Sequence, residues 1–135
     1  MRAAKIVGIL ILLLLSACAT TQRKRNDAEQ VVDRIYAAYN SRNFDGFMSV
    51  FATEVQIYRP PDTLWLSGAD AVRHYYGPRF AANPNARGTS IARIVQGRYI
   101  VDHDRVTGSS TGPDRTVVWI YEIADGKIIR AWVLP

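Results

Sequence analysis

The chain has 135 residues, a single cysteine and a formal net charge of +5. This length allows one domain of ordinary size, and one cysteine excludes a fold that is held together by internal disulfide bonds. The positive charge lies near the N-terminus, because residues 26–135 carry twelve basic and twelve acidic side chains, a neutral balance that argues against a nucleic-acid partner.

The first 18 residues have the pattern of an export signal. Arg2 and Lys5 precede an apolar stretch over residues 6–15, which is about half as long as a membrane-spanning helix. The string Leu-Ser-Ala-Cys that ends at Cys18 resembles a lipobox, the cleavage motif of bacterial lipoproteins. This resemblance implies that residues 1–17 are removed and that Cys18 receives lipid, palmitate included. An ordinary secretory signal and a membrane-spanning anchor are the alternatives.

Residues 18–25 are predicted to form a lipidated, basic tether. The run Arg23-Lys24-Arg25 either contacts anionic lipid or remains solvated. Ala19 follows the cysteine at a position where, in lipoproteins of enteric bacteria, aspartate signals retention at the inner membrane. The resemblance therefore implies anchoring in the outer membrane, with the rest of the chain facing the periplasm.

Residues 26–135 form the predicted folded domain, whose first half contains three helices. Apolar side chains recur at helical spacing over residues 26–40 and again over residues 43–51. A third helix is predicted to open at Gly68 and to end where Gly77 and Pro78 interrupt it.

Strands follow the helices and also separate them. The segments are rich in β-branched and aromatic residues and are bounded by Gly, Pro, Asn or Asp. Short connections join most of them, so neighbouring strands should be antiparallel. The predicted strands are residues 55–59, 64–66, 91–95, 98–107, 115–123 and 127–134.

The last hairpin leaves its pairing register open. A three-residue loop of Ala124, Asp125 and Gly126 would place Trp119 opposite Ala131. A two-residue turn of Asp125 and Gly126 would instead place Trp119 opposite Trp132. Both alternatives remain at this point.

Three helices packed across a curved, mainly antiparallel sheet make an α+β fold. The order of elements and three strings, YAAYNSRNFDGFMSVFATEVQIY, LWLSGADAVRHYY and YEIADGKIIRAW, resemble the nuclear transport factor 2-like superfamily, which includes SnoaL-like proteins and ketosteroid isomerases. The resemblance implies a cone-shaped domain with a pocket between helices and sheet. It also implies that two copies can form a homodimer through the sheet.

Ketosteroid isomerase chemistry is not expected, because its acidic base and its donors are not matched. Laid on this chain, the base falls on Arg59, which cannot accept a proton at physiological pH, and the donor tyrosine falls on Ile35. The second acid falls on Val118 or Trp119, and an auxiliary pocket tyrosine is matched by Tyr76.

Charged residues within an apolar strand are the strongest polar signal. Because side chains alternate along a strand, Asp102 and Asp104 face one side and His103 the other. The resemblance favours the two aspartates inside the cone, His103 remains an alternative, and a solvated or dimer face is a third. The predicted pocket residues are Ile35, Tyr58, Arg59, Trp65, Tyr76, Asp102, His103, Asp104, Trp119 and Tyr121.

These patterns predict an envelope lipoprotein that binds a small molecule, with the membrane as partner through its lipid. An enzyme of isomerase, cyclase or dehydratase type that uses Asp102, Asp104 or His103 with a tyrosine donor is the alternative, and a structural dimeric scaffold is the second. No cofactor is predicted. No metal is expected either, because His74 and His103 lack the spacing of a zinc site.

Overall fold

Three helices and a six-stranded sheet make up the computed structural model, which describes residues 27–135. The predicted signal peptide of residues 1–17, Cys18 and the tether lie outside the described residues. The helices lie across one face of the sheet, as the sequence predicts, and the α+β class is confirmed. No helix within residues 27–135 has the length and apolar character needed to cross a membrane.

The first two helices, α1 over residues 27–40 and α2 over Phe44–Met48, are joined by a short turn. The side chain of Asn43 accepts a hydrogen bond from the backbone N–H of Gly46 at 2.9 Å and so caps the start of α2. The prediction for α2 was too long, because Phe51 already belongs to the first strand.

The third helix, α3, covers Ala69–Ala82 and passes through Pro78, where the sequence predicts its end. A proline inside a helix removes one backbone hydrogen bond. The last turn nevertheless forms, because it carries the buried Phe80, whose ring lies 5.0 Å from that of Phe47 and 5.3 Å from that of Tyr39. Packing of the aromatic core thus outweighs the local preference.

Asn83 ends α3 and connects it to the loop before the fifth strand. Its amide nitrogen donates to the carbonyl of Arg79 at 3.0 Å. Its side-chain oxygen accepts hydrogen bonds from Ser109 at 2.8 Å and from the backbone N–H of Ser110 at 2.9 Å. The loop is therefore fixed to the end of α3, and it leads to the strand that begins at Arg115.

The sheet contains one parallel pair among antiparallel neighbours. Its strands lie in the spatial order β2-β1-β6-β5-β4-β3, and β1 and β6 form the parallel pair. The predicted antiparallel hairpins of the second half are confirmed. The strands are β1 Phe51–Arg59, β2 Thr63–Ser67, β3 Arg87–Gln96, β4 Tyr99–Thr107, β5 Arg115–Ala124 and β6 Lys127–Leu134.

The β5–β6 hairpin has neither of the two predicted registers. Ala124 pairs with Lys127 across a two-residue turn, but an irregularity beside Glu122 then shifts the pairing by one residue. Trp119 consequently lies opposite Val133 rather than opposite Ala131 or Trp132. A bulge of this kind adds one residue to one strand and increases the local twist.

The core fills the space between the helices and the inner face of the sheet. Val32 on α1 and Val72 on α3 are fully buried against Ile57, Ile100 and Ile128 from three strands. These inward positions alternate with outward ones along each strand, as expected for a sheet with one covered face.

The outer face of the sheet carries a continuous row of apolar side chains, here called the outer row. Each member is paired with the next across neighbouring strands. Its two ends are exposed, Ile94 to 66% and Leu64 to 46%. The outer row is Ile94, Val101, Ile120, Trp132, Tyr58 and Leu64.

Candidate functional site

A cavity of about 420 Å³ lies at one end of the domain, between the helices and the inner face of the sheet. Aromatic and aliphatic side chains form most of its wall, and a few charged groups complete it. A space of this volume accommodates a small organic molecule.

Seven of the ten predicted pocket residues line this cavity. They come from helices and strands that are distant in sequence, and the fold brings them together at one end of the cone. These seven are Ile35, Arg59, Trp65, Tyr76, Asp104, Trp119 and Tyr121.

Three predicted pocket residues lie elsewhere. The side chain of Tyr58 points to the outer face, where its ring stacks on Trp132 with centroids 5.7 Å apart. His103 also faces outward, opposite Val118, because it alternates with the inward-facing Asp102. Asp102 is on the correct face but is fully buried behind the cavity wall.

The polar centre of the cavity is a hydrogen bond from the hydroxyl of Tyr36 to the carboxylate of Asp104. Tyr36 projects from α1, and Asp104 projects from β4, opposite Val117 of β5. Asp104 is the only acidic side chain among the described residues that line the cavity, and it is 6% exposed. A ligand in the cavity would therefore meet one carboxyl group within a mostly apolar wall.

Burial raises the pKa of Asp104 from 3.8 to about 7. The hydrogen bond from Tyr36 acts in the opposite direction, the charge of Asp102 raises the pKa further, and the positive charge of Arg93 lowers it. At neutral pH the group is thus divided between its acid and its carboxylate form. Such a group can donate or accept a proton within a physiological pH range.

The phenol groups beside Asp104 hold their protons firmly. Burial raises the pKa of Tyr36, and the hydrogen bond to Asp104 and the charge of that carboxylate add to the effect. Burial likewise raises the pKa of Tyr121 and of Tyr76. These hydroxyl groups can act as hydrogen-bond donors at neutral pH but not as anionic bases.

Behind the carboxyl group of Asp104 lies a buried ion pair between Arg93 and Asp102. Arg93 of β3 donates to one oxygen of Asp102 through two nitrogens, at 2.7 and 3.1 Å. Ser90 donates to the other oxygen of Asp102. The third nitrogen of Arg93 contacts the exposed carboxylate of Asp33 at 2.6 Å. The charge of Asp102 is thereby compensated, as burial of a carboxylate requires.

Three arginines, here called the arginine rim, line the exposed part of the cavity. They are Arg59 at the end of β1, Arg79 in α3 and Arg115 at the start of β5. The guanidinium of Arg59 lies 3.8 Å from the ring centre of Trp65, and that of Arg79 lies 3.5 Å from the ring centre of Tyr75. These contacts are cation–π interactions.

Three residues of the candidate site were absent from the predicted pocket, and two of them had a signal in the sequence. Tyr36 lies four residues after the inward-facing Val32 and so shares its helical face. Arg115 has the same strand parity as Trp119, which was predicted to face inward. Arg79 was missed because the helix that carries it was predicted to end earlier.

Within the described part of the chain, no group of His, Cys, Asp and Glu side chains is arranged to hold a metal ion. The charged side chains in the cavity wall are those of Asp104 and the arginine rim, and Tyr36 is hydrogen-bonded to Asp104.

We expect the raised pKa of Asp104 to appear in the pH dependence of stability. Between its ordinary pKa and its raised pKa, Asp104 holds a proton in the folded state but not in the unfolded chain. Its contribution to the free energy of unfolding is therefore fully present below the ordinary pKa and is lost as the pH rises to about 7. The free energy of unfolding should fall more between about pH 5 and about pH 8 in the wild type than in Asp104→Asn. Urea denaturation at both pH values measures this difference.

The exposed Asp62→Asn is the matched control, since it removes one carboxylate outside the cavity. It should keep the pH dependence of the wild type. Equal pH dependence in the wild type and in Asp104→Asn would show that the carboxyl group titrates as it does in the unfolded chain.

Comparison with known proteins yields one sequence family and many similar structures. The sequence model of the SnoaL-like domain matches residues 32–131. No curated protein matches the chain by sequence.

The similar structures are distant in sequence. An uncharacterized cystatin-fold protein from Novosphingobium aromaticivorans has 19% identity and a TM-score of 0.69, over 81% of this chain and 97% of that one. A SnoaL-like protein of unknown function from Burkholderia thailandensis has 18% identity and a TM-score of 0.68, over 82% and 94%. A Sinorhizobium meliloti protein, whose suggested activity is that of a polyketide cyclase, has 18% identity and a TM-score of 0.66, over 78% and 94%. These similarities establish a shared fold.

Proposed function

The chain belongs to the SnoaL-like domain family, and on that premise we propose that it binds a small, largely apolar molecule in the cavity of the cone. The observation that carries the proposal is the cavity itself, an apolar space with one buried carboxyl group and its tyrosine partner. Sites of this composition bind small molecules by apolar contact and orient them through a few polar groups.

The positions of the three tryptophans provide a direct test. Trp65 and Trp119 line the cavity, whereas Trp132 lies on the outer face. We expect neutral naphthamide to shift the indole N–H signals of the first two in NMR spectra of the isotope-labelled full chain, and to leave the third unchanged. Spectra in which none of the three signals moves, or in which all three move equally, would contradict binding in the cavity.

Two adjacent valines supply matched variants for this test. Val117 lines the cavity and Val118 points to the outer face of the same strand. Val117→Phe should fill part of the space and weaken naphthamide binding, whereas Val118→Phe should leave it unchanged. Equal affinities in the two variants would place the ligand outside the cavity.

A second candidate function is acid–base catalysis, which the pKa of Asp104 near 7 favours. Asp104 could remove a proton from carbon beside a ligand carbonyl, and Tyr36 could donate a hydrogen bond to the resulting enolate oxygen. This pair occupies other positions than the residues that align with the isomerase base and donor, Arg59 and Ile35. Turnover of an unconjugated ketosteroid is still not expected.

Proton exchange distinguishes an enzyme from a binding protein. For catalysis, the full chain should accelerate deuterium incorporation into β-tetralone in deuterium oxide, with a rate that rises through about pH 7 as Asp104 ionises. Asp104→Asn should lose the acceleration. Equal rates with and without protein, or with Asp104→Asn, would leave binding as the function.

We also propose that the domain is carried on a lipid anchor in the outer membrane. The support is the basic, apolar and small-residue pattern that ends at Cys18, whose two or more acyl chains would hold the protein firmly at a bilayer. Cys18→Ser should abolish incorporation of labelled palmitate, because serine has no thiol for the thioether. Labelled palmitate in the variant would refute this assignment, and recovery of the wild type in the inner-membrane fraction would refute the sorting.

A homodimer is the proposed assembly, with the outer row as its contact surface. The support is the continuity of this row across all six strands together with the exposure of Ile94 at one end. Ile94→Glu should reduce the sedimentation coefficient from that of a dimer to that of a monomer. Arg105→Glu, a change at another exposed residue, should leave the sedimentation coefficient unchanged. A wild-type monomer would contradict the assembly.

A further inference from the structure

Three of the twelve basic side chains in residues 26–135 line a single cavity, although the domain as a whole is neutral. These are Arg59, Arg79 and Arg115 of the arginine rim. Among the described residues none of them takes part in an ion pair, whereas Arg93 and Arg130, outside the cavity, do. The rim therefore concentrates positive charge without an ion-paired carboxylate among the described side chains.

The positions of two rim residues are fixed by aromatic rings. Trp65 and Tyr75 meet edge to face with centroids 4.5 Å apart. Arg59 lies over the first ring and Arg79 over the second, so the two guanidinium groups flank one aromatic pair. Arg79 also donates from Nη1 to the backbone carbonyl of Tyr75 at 2.8 Å, and since a guanidinium has five N–H donors, both arginines retain donors for another group.

The third rim residue reaches the same cavity from the sheet. Arg115 lies on the inner face of β5, opposite Val106 and one inward position before Val117. Arg79 and Arg115 line the same cavity as Tyr76, and their charges lower the pKa of Tyr76 against the larger effect of burial. The rim therefore surrounds the aromatic part of the wall.

The opposite charge is scarce in the cavity. Asp104 is buried, accepts a hydrogen bond from Tyr36 and does not form an ion pair with any rim residue. We infer that the cavity takes a ligand whose apolar body ends in an anionic group, such as a carboxylate, and that the arginine rim binds this group. The inference rests on the proposed small-molecule binding and adds the charge of the ligand.

The physical basis is the strength of charge-assisted hydrogen bonds. Guanidinium groups bind carboxylates through paired N–H donors, and such bonds are about twice as strong as those between neutral groups. The apolar wall around Trp65 and Trp119 would receive the body of the molecule. A neutral ligand would accept weaker hydrogen bonds from the rim, and a cationic ligand would be repelled by it.

Naphthoate and naphthamide, which differ in one group, make the test. With the isotope-labelled full chain in a single detergent, the indole signals of Trp65 and Trp119 give the affinity for each. We expect the wild type to bind naphthoate at least about tenfold more tightly than naphthamide, since an ion pair with the rim replaces a hydrogen bond to a neutral carbonyl. The preference should shrink as salt is added, because exposed charges are screened.

The double variant Arg59→Gln/Arg115→Gln removes two rim charges at exposed strand ends. It should lose most of the preference for naphthoate while its affinity for naphthamide stays within about twofold, because apolar burial supplies that binding. Arg105→Gln, on the outer face of β4, removes a charge from a neighbouring position and should keep the preference. An unchanged signal of Trp132 confirms that each variant is folded.

The outcomes separate this inference from the proposed function. Equal affinity of the wild type for both compounds, or a preference that survives in the double variant, overturns the anionic ligand while cavity binding stands. Absence of any shift at Trp65 and Trp119 with either compound overturns both.

Discussion

Replacing Arg93 with methionine should lower the free energy of unfolding by about 3 to 5 kcal/mol, because it leaves the fully buried carboxylate of Asp102 without its cation. Ser90 would remain as a donor to Asp102. Methionine keeps much of the apolar stem of arginine, so the loss reports the charge rather than the packing. Urea denaturation at neutral pH measures it.

Two further variants identify the contact that is responsible. Asp33→Asn removes only the exposed partner of Arg93 and should cost less than about 1 kcal/mol, as surface ion pairs do. In the double variant Arg93→Met/Asp102→Asn, part of the lost stability should return, because no charge is then buried without a partner. An equal loss in Asp33→Asn and Arg93→Met would show that the buried pair contributes nothing.

The second large effect is expected in the apolar core. Ile128→Ala should destabilise the domain by about 2 to 5 kcal/mol, since Ile128 is fully buried where β6 meets β1 and truncation leaves a cavity. Ile91→Ala makes the same chemical change at a side chain that is 48% exposed and is not part of the outer row, and it should cost much less. Thermal or urea unfolding measures both losses. Similar losses in the two variants would contradict the assigned position of Ile128.

The sequence predicted the regular parts of the fold, because their signals are local. β-Branched and aromatic composition between turn residues located β4, β5 and β6, and helical spacing located α1. The errors arose where contacts between residues that are distant in sequence, or an irregularity in strand pairing, determine the structure. Only the packing of Phe80 carries α3 past Pro78, and only a bulge beside Glu122 sets the register of the last hairpin.

The site was predictable to the extent that it depends on side-chain alternation. Parity placed Asp104 and His103 on opposite faces of β4, the family resemblance favoured Asp104 inside, and the structure has Asp104 on the inner face. Parity does not tell how deeply a side chain is buried, and Asp102 consequently lies behind the wall with Arg93 rather than in the cavity. The partnership of Tyr36 with Asp104 spans 68 residues, and no local pattern reports such a contact.

The place of β6 in the sheet has a consequence for the order in which the protein can fold. β6 is the last described strand in the sequence, yet it lies between β1 and β5. While the chain is being synthesised, β1 has only β2 as a partner, and β5 exposes one edge, until residue 134 is available. Unpaired edges invite association with other chains, so premature folding would be harmful. A chain that is exported before it folds would complete its sheet in a single late step.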